Sequence, residues 1–81
     1  MKIEVLGPGC KRCEELYENT VAAAAQFDSG SGIEVKKIKD ILYFAQKGVF
    51  VTPALVIDGE VISVGKVLPV AEIHQKIVEK M

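Results

Sequence analysis

The sequence predicts an α/β fold in the order βαβ, α, ββα, and three features carry that prediction. A β-branched run at Lys2–Leu6 stops at Gly7-Pro8-Gly9 and gives way to helical spacing. Asp58-Gly59 separates two strand-like runs, at 55–57 and 61–64, and is among the strongest two-residue hairpin links because both turn positions need positive φ. Pro69 stands where a final helix begins, ahead of an apolar stripe of Val70, Ile73 and Ile77 with Val78 alongside.

The elements between these marks follow in order. From Cys10 onward, Cys13, Leu16, Tyr17, Thr20, Val21, Ala24 and Phe27 recur at steps of three and four, with Glu14, Glu15, Glu18 and Asn19 on the other face. The early acids suit the positive end of a helix. Asp28-Ser29-Gly30-Ser31-Gly32 is expected to stop that helix in a turn too short to link domains. Ile33, Val35 and Ile38 then read as a half-exposed strand, which the opening βαβ unit should pair in parallel with the first. Asp40 is the expected N-cap of a short helix through Ile41, Leu42, Phe44 and Ala45, with Gly48 as its stop. One domain, 1–81, is expected.

Charge and composition remove several function classes. Ten basic against eleven acidic residues leave a net charge of −1, without the basic excess that a phosphate backbone requires. Hydrophobic residues at 49 % rule out general disorder. No apolar run approaches the ~20 residues of a membrane span, and Met1-Lys2-Ile3-Glu4 carries an acid where a secretory leader is apolar. A soluble, cytoplasmic, monomeric protein is expected, with neither nucleic acid nor membrane as partner.

Two cysteines, Cys10 and Cys13, cannot staple a secreted miniprotein, and a loop so short gives little entropic stabilisation. In a cytosolic protein the C-x-x-C spacing points to redox chemistry or to metal binding. Placed at a strand-to-helix junction, Cys10 falls at the first turn and Cys13 one turn along the same face. The unpaired N–H groups and dipole of a helix start favour an anion, and Lys11 and Arg12 add positive charge beside it. A thiol of pKa about 8.5 is about 3 % thiolate at pH 7, whereas a pKa near 7 makes it roughly half. The same two thiolates suit a soft ion such as Cu(I), so a copper-binding module is the alternative. Structural zinc requires four ligands, and the single His74 cannot complete the set.

GPGCKRC at 7–13 and VFVTPALVIDGEV at 49–61, in this order of elements, resemble the thioredoxin superfamily in its minimal form, the small "redox-active disulfide" proteins. The resemblance covers essentially the whole sequence. It implies a central four-stranded mixed sheet flanked by three helices, and a cis Pro53 lying against the active-site sulfurs. It implies a thiol–disulfide oxidoreductase in which Cys10 attacks and Cys13 resolves. No cofactor is required; the partners are a disulfide-containing protein or small thiol substrate and an external reductant. Gly9, Lys11, Arg12, Thr52 and Pro53 shape the site, and the Thr52 backbone is left to pair with an extended substrate. Glu4, six residues before Cys10, matches a buried carboxylate that accepts the resolving cysteine's proton, unless its strand lies at a sheet edge and leaves it solvated. Where thioredoxins proper carry Trp before the motif and Gly-Pro inside it, this protein has Gly9 and Lys11-Arg12. Where glutaredoxins carry Gly-Gly after the hairpin, it has Val64-Gly65-Lys66-Val67. Tyr17 and Tyr43 read as aromatics at the edge of the core, and His74 as a surface residue.

Overall fold

The structure, a computed structural model, describes residues 1–9, 11–27 and 32–80. Cys10 and residues 28–31 of the expected turn at 28–32 lie outside the described residues. Along the sequence run β1 (Lys2–Leu6), α1 (Lys11–Ala24), β2 (Glu34–Ile38), α2 (Ile41–Gln46), β3 (Ala54–Ile57), β4 (Glu60–Val64) and α3 (Val70–Lys80). The strands form one mixed sheet in the order β2-β1-β3-β4. β1 runs parallel to β2 and antiparallel to β3, and β3 and β4 close the hairpin.

Local chemistry accounts for the turns. Asp58 and Gly59 both take positive φ, 50° and 83°, so the hairpin twists with its strands. Asp40 caps α2, its Oδ1 accepting the Leu42 N–H at 3.0 Å. A register shift between Leu55 and Val56 adds one residue to the β4 side of the hairpin.

The alternation of β1 splits the interior in two. Ile3 and Val5 join Leu55 and Ile57 beneath α1 and α3, where Leu16, Ala23, Ile73 and Ile77 complete the larger core. Leu6 faces the other way, with Ala54, Val56, Phe44 and Val49 under α2. One expected core position, Val21, is corrected, and Val78, expected alongside the inner stripe of α3, stands at its exposed edge. Val21 is 41 % exposed and Val78 is 43 % exposed, and Ala23 takes the inner place on α1. The inward arc of α1 is therefore turned toward Ala23, whose small side chain packs in the core shared with α3. His74 is half-buried and stacks on Phe27 with ring centroids 4.7 Å apart. No helix of the described residues is long and apolar enough to cross a membrane.

Candidate functional site

Strand directions bring the separated motifs to one end of the sheet. β1 and β2 both finish there, and β3, antiparallel to β1, begins there with Ala54 opposite Leu6. The Gly7 N–H donates to the Ile38 carbonyl at 2.9 Å, so the backbone stays tied to β2 after β1 has ended. The Gly7–Gly9 turn, the start of α1 and Thr52-Pro53 therefore share this end. The Thr52–Pro53 peptide bond is cis, Pro53 is buried and Thr52 is half-buried.

Cys13 is fully buried in the first turn of α1. It rests directly on Gly7: a methyl group there would stand 2.7 Å from the Cys13 Cβ and closer still to its Sγ. Gly7 thus does more than break the strand. It is the floor on which the sulfur sits, a role that a breaker signal does not disclose. Gly9 has φ +99°, a conformation few L side chains adopt, and leads the backbone to Cys10. Lys11 and Arg12 are exposed at the head of the helix.

Arg12 has a partner that the sequence did not reveal. Its Nη2 donates to the Gly65 carbonyl at 2.9 Å, while the Gly65 N–H donates to the Pro53 carbonyl at 2.7 Å. Gly65 thereby links the C-x-x-C helix to the proline loop. Its φ of +71° is one that few L side chains adopt, and a Cβ there would meet Val51 Cγ1 at 2.8 Å, a methyl of an exposed side chain that can give way. Next to Thr52 the surface is apolar, with Phe50 85 % and Val51 59 % exposed. Ile41 and Leu42, expected in the short helix, stand exposed at its beginning.

Glu4 lies in β1, an inner strand, so the solvated edge reading is overturned; the residue is 6 % exposed. The Tyr43 hydroxyl donates to Glu4 Oε1 at 2.6 Å. That hydrogen bond, with burial and the carboxylate's charge, pushes the Tyr43 phenol up to about 12. Tyr43 is thus a core-edge aromatic with a polar task. Strand order decided the environment of Glu4, and strand order is not written in a local pattern.

The thioredoxin domain family model matches residues 1–78 of the protein. The thioredoxin of Methanocaldococcus jannaschii is 33 % identical over 75 residues, covering 93 % of this protein and 84 % of the relative. The thioredoxin of Methanothermobacter thermautotrophicus is 34 % identical over 75 residues, covering 93 % of this protein and 95 % of the relative. By these matches and by its four-stranded mixed sheet with three helices, the protein belongs to the thioredoxin family and is a thiol–disulfide oxidoreductase.

Proposed function

We propose that the protein exchanges disulfides through Cys10 and Cys13, with Cys10 as the attacking sulfur. The Cys10 thiolate attacks one sulfur of a partner disulfide, forming a mixed disulfide and releasing the first partner thiolate. Cys13 then attacks the Cys10 sulfur and releases the second partner thiolate, which takes up the Cys13 proton. Glu4, on the α2 face of β1 with Leu6 and Tyr43, stands on the other side of the sheet from α1. The partner gains two electrons, Cys10–Cys13 is left oxidised, and an external reductant restores the dithiol. Lys11 and the α1 N-terminus favour the thiolate, while Gly9 leaves its approach open. The Thr52 backbone receives an extended substrate segment beside Pro53. The substrate is a protein or small disulfide. The protein works as a monomer in the cytoplasm, where paired thiols cycle rather than staple.

One observation carries the division of labour. Cys13 is fully buried against Gly7, and burial disfavours a charged thiolate, as suits a sulfur used only after the mixed disulfide exists. Cys13→Ser should accumulate a covalent adduct with a disulfide protein on a non-reducing gel, and Cys10→Ser should form little. Better trapping by Cys10→Ser reverses the roles. Tight Cu(I) binding without reduction of insulin by the wild-type protein defeats the reading.

A further inference from the structure

The near-neutral total charge of the protein hides an uneven distribution. Four of its ten bases, Lys11, Arg12, Lys39 and Lys66, are exposed around the end of the sheet that carries Gly9 and Thr52-Pro53. Lys11 and Arg12 head α1. Lys39 follows β2, and its Nζ lies 3.6 Å from where a methyl group on Gly9 would stand. Lys66 follows Gly65, whose carbonyl Arg12 holds. The helix tip therefore has cations on its β2 side and on its β4 side.

The acids at this end are mostly engaged. Glu14 accepts from Lys37 Nζ with both oxygens, at 2.6 and 2.8 Å. Asp40 caps α2. Among the described residues the ion pairs join Lys36 to Glu34, Lys37 to Glu14, Lys76 to Glu79 and Lys80 to Glu60. None takes up a member of the site-end quartet, and Glu15, one turn from Lys11, is in none of them. The acids of the hairpin, Asp58 and Glu60, lie at the opposite end of the sheet.

We propose that this cationic rim selects partners whose disulfide is flanked by acidic residues; the inference rests on the dithiol reading above. Opposed charges at the rim raise the encounter rate and keep the partner in register, an effect that salt removes. The overall charge of −1 does not cancel it, since a short partner segment meets the local field of this end rather than the distant acids.

The test uses one peptide with a single cysteine, in versions flanked by two Glu, two Gln or two Lys. Each is carried as the same mixed disulfide with thionitrobenzoate. Release of the chromophore by the reduced protein is followed and divided by the rate with dithiothreitol, which removes differences in intrinsic reactivity. At about 10 mM ionic strength the Glu peptide should react about tenfold faster than the Lys peptide, and the ratio should fall toward one at about 0.5 M salt. A Lys39→Glu, Lys66→Glu double variant should lose most of the preference, read as the ratio of the Glu-peptide to the Lys-peptide rate so that any change in the reactivity of the attacking sulfur itself cancels. Equal normalised rates, a preference for Lys, or a ratio indifferent to salt or to the double variant overturns the rim proposal while leaving the dithiol reading in place. Failure to reduce any of the peptides overturns both.

Discussion

Gly7 sets how closely α1 can descend onto the end of the sheet, because Cys13 fills the space where its Cβ would be. Gly7→Ala must displace the Cys13 side chain or the first turn of α1, an overpacking expected to cost about 1–3 kcal/mol. Urea midpoints would read the cost, and faster alkylation of Cys13 would show its displacement. An unchanged midpoint with unchanged alkylation would remove Gly7 from its role. Tyr43 makes a second prediction at this scale. Replacing it by Phe leaves a buried carboxylate oxygen without its donor, at a cost of about 1–3 kcal/mol near neutrality. Its pH dependence has a definite sign. The phenol titrates near 12 in the folded protein and near 10 when unfolded, so below pH 10 both states hold the proton. Between these values only the folded state keeps it, and the stabilisation is lost as pH rises through 12. The stability gap between wild type and Tyr43→Phe should therefore shrink from about pH 9 to about pH 11.5, as measured by denaturant midpoints. A gap that stays constant contradicts this account.

Between elements, the decisive contacts join segments that are far apart in sequence. Arg12 on α1 reaches Gly65 after β4, and Gly65 reaches Pro53 before β3, so two hydrogen bonds hold the helix head against the proline loop. Arg12→Met keeps the apolar stem and removes the donor. Because the site is exposed, the loss of stability should stay below about 1 kcal/mol. The loop itself should loosen more visibly, with faster hydrogen exchange at the Gly65 amide while amides in the middle of β3 keep their protection. Unchanged exchange at Gly65 would mean that Arg12 does not hold this loop. The α1–β2 contact is of the same kind: Lys37 donates to Glu14 and also lies 4.8 Å from the Tyr17 ring centroid. Its hydrogen bond holds the Glu14 carboxyl below its ordinary range, although the exposure of that pair limits its worth.

For the molecule as a whole, the sequence discloses elements better than it discloses their neighbours. β1, the Asp40 cap and the Asp58-Gly59 turn rest on nearby residues, and each stands where local pattern and chemistry indicate. Cys13 was legible as a helix-face thiol from its spacing. The partners of Arg12 and Glu4, and the space required at Gly7, depend on strand order and helix placement, which no single segment encodes. Helix periodicity defines an apolar arc but leaves open which edge of the arc the sheet covers. The adjacent pair Ile77 and Val78 tests that distinction. Ile77 falls in the expected stripe of α3 and Val78 alongside it; Ile77 is fully buried with Ile73 in the larger core, and Val78 is 43 % exposed. Ile77→Ala should cost about 2–5 kcal/mol, whereas Val78→Ala should cost less than about 1 kcal/mol. A protein of this size has a total stability of roughly 4–12 kcal/mol, so adding Ile73→Ala to Ile77→Ala should bring the fold close to collapse at about 25 °C. Circular dichroism during urea titration would measure all three variants. If Val78→Ala lowers the midpoint as much as Ile77→Ala, α3 is rotated from the position described, and the larger core is closed by a different edge of that helix.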